Sequence, residues 1–278
     1  MPQKKLPKIQ KQGECIFCSG PKLSKQHVIP DWISEHLPPS AYKQTVSSTS
    51  IGFALGQEEA IVRLGTPFEK NHNAQFGQVK IRNVCVFCNG GWISRHEQKS
   101  IPVMKNLILG KDFIFTKADA KAAAIAILLM AMMNEFTDPD RTRRSIPLAH
   151  RQFLMNRLTL PPNWYIGVGV MKDVGESKCT SHHVIDRNPS RYVAAHVAVQ
   201  IYTVRLGRAV FQAVMYEGVN YPISFKSGQL LQLWPHVDSP KSWMSCLDPL
   251  EEDDFVSLSN EVFHRIRASL MSKYSPSN

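Results

Sequence analysis

Cys15-Ile16-Phe17-Cys18 and Cys85-Val86-Phe87-Cys88 are two CxxC pairs that frame the first third of this 278-residue chain. Each pair places two sulfurs on one tight turn, and two such turns complete a tetrahedral shell of four thiolates with no open position. A site of this kind is structural, because the free energy of metal binding adds to the free energy of folding. The two pairs therefore predict a structural zinc site formed by Cys15, Cys18, Cys85 and Cys88.

The cysteine count and the hydropathy exclude several classes of protein. Six cysteines in 278 residues are too few for a disulfide framework, so we expect Cys179 and Cys246 to be ordinary thiols. No apolar run approaches the roughly 20 residues of a membrane span. The N-terminus lacks the apolar core of a signal peptide. We therefore expect a cytoplasmic protein without a membrane partner.

The net charge is +10, and it is distributed unevenly. Residues 1–110 contain 14 Lys and Arg and 7 Asp and Glu, whereas residues 111–278 contain 19 and 16. The positive excess accompanies the cysteine pairs, which is typical of a protein that binds a polyanion. A basic segment that only aids solubility is the alternative.

The first half of the chain divides at two points. Residues 1–13 form a polar, basic arm with little to bury. Residues 14–110 form the zinc module, with a strand that ends at Pro30, a second strand over 77–85 and a helix that starts near Cys88 or Asn89. Residues 38–76 are an insertion into this module, and segments 51–55 and 60–64 within it form a hairpin.

Residues 111–278 are predicted to form an α+β domain with an antiparallel sheet. Thr116 caps a helix over 117–136, and Pro147 opens a further helix. Strands are expected over 164–171, 193–206, 209–216 and 229–234, with a last helix over 251–271. We expect His182 and His183 to lie with Cys179 in a polar, solvated loop.

Two further motifs follow the cysteine pairs at once. Gln26-His27-Val28-Ile29-Pro30 comes after the first pair, and Asn89 comes directly after the second. The combination of CxxC, His-Val/Ile-x-Pro and CxxC-Asn resembles the HNH family of endonucleases, also called ββα-metal and treble-clef-like. The resemblance covers residues 13–98, the N-terminal third of the chain only.

The resemblance implies a metal-dependent endonuclease that cuts or nicks DNA. His27 matches the general base of the family, which takes a proton from the attacking water. Asn89 matches the last position of the motif, which binds a catalytic Mg²⁺ or Mn²⁺ ion, while the zinc is structural. The chemistry is consistent, because an imidazole with a pKa of about 6.5 accepts a proton at neutral pH.

The sequence departs from the family pattern in two places. Gln26 occupies a position that is usually Asp or Glu, and an amide oxygen is a weaker ligand for a hard cation than a carboxylate. Asn83, the nearest match to the middle Asn of the pattern, lies only two residues before Cys85. His96 and Glu97 follow Asn89 on the same helix and could replace the missing ligand. The candidate ligands of the catalytic metal are therefore Gln26, Asn89, His96 and Glu97, and weak activity is expected because of Gln26.

DNA is the expected partner, and Lys22, Lys25, Arg82 and Arg95 are its candidate contacts. Relatives of this kind serve in antiviral (anti-phage) defence, restriction and mobile elements, so proteins of such systems are further expected partners. The alternative is a non-catalytic, zinc-stabilised module that binds nucleic acid or protein. Residues 111–278 contain no catalytic motif, and we expect them to have a binding, regulatory or autoinhibitory role.

Overall fold

The computed structural model describes residues 13–37, 44–55, 60–64, 68–72, 79–138, 144–188, 198–217, 228–235 and 242–274. These residues form an α+β structure that has a two-stranded ribbon, an eight-stranded sheet and helices packed around them. The strands are β1 Leu23–His27, β2 Gln44–Leu55, β3 Ala60–Leu64, β4 Phe68–His72, β5 Lys80–Cys85, β6 Trp164–Val170, β7 Ser177–Asn188, β8 Ala198–Leu206, β9 Ala209–Glu217 and β10 Leu231–Trp234. The helices are α1 Val86–Cys88, α2 Ser94–Ile108, α3 Lys117–Asn134, α4 Leu148–Arg157 and α5 Glu252–Tyr274.

β1 and β5 form the antiparallel ribbon that carries both cysteine pairs. Leu23 lies opposite Cys85 and His27 lies opposite Lys80, with a bulge near the middle of β1. The chain passes from β5 directly into α1, and a widened turn with a kink at Gly91 (φ −100°, ψ −108°) leads into α2. The predicted strand before the second cysteine pair and the predicted helix after it are therefore confirmed.

The large sheet has the strand order β10-β6-β9-β8-β7-β2-β3, and β4 also pairs with β2. The five strands from β10 to β7 pair antiparallel, which confirms the antiparallel sheet predicted for the second half. Gly207, with φ +59°, makes the tight turn between β8 and β9. Residues 193–197 of the strand that is predicted over 193–206 lie outside the described residues.

The insertion between β1 and β5 extends the large sheet. β2 and β3 form the predicted hairpin, in which Ile51 lies opposite Leu64 and Leu55 lies opposite Ala60. β2 is longer than predicted, and it pairs in parallel with β7, so that Gln44 lies opposite Ser177. The sequence pattern does not predict this pairing, because it joins segments that are far apart in the chain.

α3 is the central helix of the core, with thirteen buried residues. The Thr116 hydroxyl accepts from the N–H of Asp119 at 3.1 Å, and the Asp119 carboxylate accepts from the N–H of Thr116 at 3.1 Å. This capping box fixes the helix start, as predicted. α3 packs against α2 on one side and against β6, β9 and β10 on the other. The apolar core therefore continues across the boundary predicted at residue 110.

The prediction of a solvated loop around Cys179, His182 and His183 is wrong. All three residues lie on β7, and their exposed fractions are 1 %, 4 % and 2 %. The sequence of β7 is polar although these residues are buried, because its side chains contact other polar groups inside the protein. Ser181 on the same strand, for example, accepts a hydrogen bond from Asn134 of α3 at 2.8 Å.

Candidate functional site

The four cysteines of the two CxxC pairs converge at one end of the ribbon. All four Sγ atoms lie within 4.8 Å of one another, and those of Cys18 and Cys85 are 3.5 Å apart. A zinc ion with Zn–S bonds of about 2.3 Å holds its sulfurs about 3.8 Å apart, so the spacing fits a four-sulfur shell. Cys18 is exposed and the other three cysteines are buried. The four side chains could therefore hold a metal such as zinc.

Backbone N–H groups orient two of the sulfurs. The N–H of Gly20 donates to Cys18 Sγ at 3.3 Å, and the N–H of Cys88 donates to Cys85 Sγ at 3.4 Å. Burial opposes ionisation of Cys85, but the N–H of Cys88 and the neighbouring thiols lower the pKa of Cys85 overall. Cys88 Sγ also contacts Met155 Sδ at 4.0 Å. The backbone N–H groups thus act to lower the pKa of Cys18 and Cys85, although burial raises the pKa of Cys18 and of Cys88 overall. The site packs directly on α4.

His27 lies at the other end of β1, on the outer face of the ribbon. Lys25 is exposed, Gln26 is buried and His27 is half-buried, as the alternation of a strand requires. Burial and the opposing Lys80 lower the pKa of His27, and Asp31 acts in the opposite direction. The imidazole is therefore neutral at pH 7, which is the form that accepts a proton.

The inner face of the ribbon meets the helix that follows the second cysteine pair. Gln26 Nε2 donates to Glu97 Oε1 at 3.4 Å. Burial raises the pKa of Glu97 to about 6, although the Gln26 amide acts to lower it. Asn89 Nδ2 donates to Ser24 Oγ at 3.1 Å and to the carbonyl of Lys25 at 3.5 Å. The structure thus brings Gln26 and Glu97 together, and it places Asn89 nearer to the sulfurs.

The structure does not join His27 to the candidate metal ligands. Among the residues that it describes, no hydrogen bond connects His27 to any of them, and adjacent residues of a strand point to opposite faces. His96 is directed elsewhere, since its Nε2 lies 3.2 Å from the carbonyl oxygen of Ala122. Burial lowers the pKa of His96, and that carbonyl opposes the shift. His96 thus holds α2 against α3.

The predicted DNA contacts all lie at the surface. Lys22, Lys25, Arg82 and Arg95 are exposed. Lys80 and Arg82 share one face of β5, because they are two residues apart on a strand, and both are exposed. Sequence reasoning did not select Lys80, although the alternation of apolar and polar residues over 77–85 places it beside Arg82.

A second group of polar side chains is buried between α3, α4 and the large sheet. Glu135 is 3 % exposed, and its carboxylate accepts from the N–H of Ser145 at 2.7 Å and of Ile146 at 2.8 Å. The same carboxylate pairs with Arg151 of α4. Ser145 Oγ donates to Gln200 Oε1 at 2.6 Å. Sequence reasoning missed this network because its members come from separate segments that share no motif.

Comparison with known proteins gives no match for this chain: no family model, no curated protein and no solved structure resembles it. Within the described part of the chain, no helix has both the length and the apolar composition needed to cross a bilayer. Any assignment of function therefore depends on the chain's own residues.

Proposed function

We propose that this protein is a metal-dependent endonuclease that hydrolyses phosphodiester bonds of DNA, with His27 as the general base. The observation that carries the proposal is a neutral, half-buried imidazole on an exposed, cationic face. Lys80 lies opposite His27 on the ribbon, and Lys25 and Arg82 are exposed two positions from His27 and Lys80 on their strands. These cations would bind the phosphates on either side of the cleaved bond. A base in this position takes the proton of the attacking water, which contributes about 10²–10⁴-fold to the rate.

Contacts at both ends of the ribbon would hold β1, the strand that carries His27, in a fixed position. Among the strands that the structure describes, β1 pairs only with β5, and a lone two-stranded ribbon is marginally stable in water. The four cysteines clamp one end of this ribbon, and α2 covers its inner face through the Gln26–Glu97 contact. A structural zinc would thus position His27 without taking part in the chemistry.

Glu97, Gln26 and Asn89 are the proposed ligands of a catalytic Mg²⁺ or Mn²⁺. A carboxylate and two amide oxygens are donors of the type that these ions prefer. Gln26 and Asn89 both donate from their amide nitrogens, which leaves the amide oxygens to accept or to ligate. A bound ion would stabilise negative charge on the phosphate and the leaving oxygen, provided that the phosphate reaches the Gln26 face of β1, which lies opposite to His27. His96, the fourth candidate from the sequence, is the weakest, since its Nε2 already contacts Ala122.

The second candidate function is a non-catalytic, zinc-stabilised module that binds nucleic acid. It is favoured by the position of Glu97, whose carboxylate bonds with Gln26 on the face of β1 away from His27. On this alternative the cationic ribbon binds DNA, and the affinity falls steeply as salt increases. Strand scission is then absent with every divalent metal.

Conversion of supercoiled plasmid separates the two functions. The wild type, His27→Ala and His264→Ala would be compared with magnesium, with manganese and with neither ion. His264→Ala is the matched control, because it removes an exposed imidazole from α5 in the other half of the chain. We expect metal-dependent nicking or linearisation by the wild type and by His264→Ala, and its loss in His27→Ala.

Two outcomes decide between the functions. Full cleavage by a clean preparation of His27→Ala would show that His27 is not the base. Zinc-loaded wild type that shifts DNA in a gel but cleaves it with neither metal would favour the binding module.

A further inference from the structure

Phe87 is the most exposed of the large apolar side chains that the structure describes. It is 74 % exposed, and its neighbour Val86 is 46 % exposed. Both lie between Cys85 and Cys88, so the turn that orients the sulfurs also fixes the backbone beneath Phe87. A single exposed apolar residue is common on protein surfaces. The surroundings of Phe87 therefore decide whether it has a function.

The surface next to Phe87 is bare backbone. Gly90 and Gly91 follow Phe87 by three and four residues, on the widened turn that joins α1 to α2. A Cβ atom added at either glycine would meet no other atom within 4 Å. Open space therefore lies above the backbone beside the aromatic ring.

Two cations border this open surface. Arg95 is exposed at the start of α2, eight residues beyond Phe87. Lys22 is also exposed, and its carbonyl accepts a hydrogen bond from the N–H of Val86 at 3.0 Å. An exposed aromatic ring, with exposed cations on the neighbouring segments and a bare surface beside it, matches the chemistry of proteins that bind single-stranded nucleic acid.

We propose that Lys22, Phe87, Gly90, Gly91 and Arg95 form a binding site for an unpaired nucleotide, which we call the Phe87 strip. The base stacks on Phe87, the sugar-phosphate backbone passes over Gly90 and Gly91, and the two cations hold the flanking phosphates. The inference rests on the proposed function in one respect, that DNA is the partner. It adds that this DNA presents an unpaired base, without a preference among bases, since each base has a face that can stack.

Fluorescence anisotropy with a labelled single-stranded oligonucleotide tests the strip, without added magnesium or manganese so that no cleavage occurs. Phe87→Ala removes the stacking surface and is expected to weaken binding about 5- to 150-fold. Gly90→Leu fills the open space without disturbing the fold and should weaken binding by a similar factor. Phe87→Trp keeps an aromatic ring and should bind as tightly as the wild type.

Salt dependence distinguishes stacking from phosphate contacts. Arg95→Ala should reduce the slope of log K against log salt by about 0.7, the value for one phosphate contact on a single strand. Phe87→Ala should leave this slope unchanged, because the ring carries no charge. The matched control is Ile114→Ala, which removes an apolar side chain that is 64 % exposed in the segment between α2 and α3. This control should bind as the wild type does.

The outcomes separate this inference from the proposed function. A wild type that binds and cleaves DNA, with Phe87→Ala and Gly90→Leu both binding within twofold of it, overturns the Phe87 strip alone. A wild type that neither binds nor cleaves DNA overturns both. Binding to anionic phosphatidylserine vesicles that Phe87→Ala abolishes, with oligonucleotide affinity unchanged, would assign the ring to a membrane surface and also overturn the inference.

Discussion

Replacing Glu135 by Gln is expected to cost this protein much of its stability. The side chains of Glu135 and Arg151 are 0 % and 4 % exposed, and removing one charge from a buried pair costs about 3–5 kcal/mol. Gln has nearly the same shape as Glu, so the loss reports the unpaired charge of Arg151 and not a cavity. One end of the Gln side chain is also an NH₂ group, which would face either the guanidinium or the N–H groups of Ser145 and Ile146. The loss is a large part of the roughly 5–15 kcal/mol by which domains are stable.

Equilibrium unfolding in urea, followed by circular dichroism in the presence of zinc, measures this change. The matched control is Glu251→Gln, which removes one partner of an ion pair with Lys172 whose side chains are 60 % and 62 % exposed. The control should lose little stability, because solvent screens an exposed pair. Arg151→Met combined with Glu135→Gln should lose less than the two single changes added together, because no buried charge is left unpaired.

A loss below about 1 kcal/mol for Glu135→Gln, with an unchanged urea dependence, would refute this reasoning. Glu135 and Arg151 would then be accessible to water, and the polar network would not fasten α4 to α3.

Three further predictions concern the metal and the histidines. Zinc should copurify with the wild type and with Cys246→Ser but not with Cys88→Ser, as measured with a chromogenic chelator after thiol modification; zinc retained by Cys88→Ser would contradict the four-sulfur site. Burial, together with the charge of His264, lowers the pKa of His182 to about 4. Between about pH 6.5 and pH 4, the unfolded state therefore binds a proton that the folded state does not bind. The free energy of unfolding should fall by roughly 3 kcal/mol as the pH drops through this window. His182→Phe should flatten that part of the curve of urea stability against pH, and an unchanged slope would contradict the assignment. If His27 is the base, cleavage at limiting substrate should rise with pH up to an apparent pKa below about 6.5 and then level off; a rate that is independent of pH down to about pH 5 would argue against it.

The elements that short-range rules specify could be predicted from the sequence. The spacing within each CxxC pair constrains two sulfurs regardless of the rest of the fold, and the four sulfurs do converge. Thr116 and Asp119 form a cap from groups three residues apart, so the start of α3 follows from the local sequence. Gly207 supplies the positive φ that the turn between β8 and β9 requires.

The elements that depend on distant partners could not be predicted. β7 has polar residues on both faces, and the partners of these residues come from other parts of the chain: Asn134 for Ser181, and the ring of Phe263, 4.7 Å away, for His182. A segment of this composition is indistinguishable from a loop until its partners are known. Hydrophobic periodicity therefore fails on β7, although it succeeds on the apolar β8 beside it.

The residues of the candidate site could be predicted from the sequence, but the directions in which their side chains point could not. Gln26, His27 and Glu97 are all candidates because of their chemistry and their distance from a cysteine pair. Which face of β1 Gln26 and His27 use depends on the bulge in the strand, and the direction of Glu97 depends on the packing of α2. The Gln26–Glu97 contact is a property of the tertiary structure, and no spacing rule connects a strand to a helix 71 residues away.

The parallel pairing of β2 with β7 has a consequence for biosynthesis. Gln44 lies opposite Ser177, which is 133 positions later. At about 5–20 residues per second, a ribosome needs about 7–27 s to add that length of chain. Throughout this interval the nascent β2 hairpin has a backbone edge without its native partner, which is the kind of edge that recruits other chains. Because the two strands of this pair lie so far apart in the sequence, the insertion is the segment where we expect a chaperone to bind during translation.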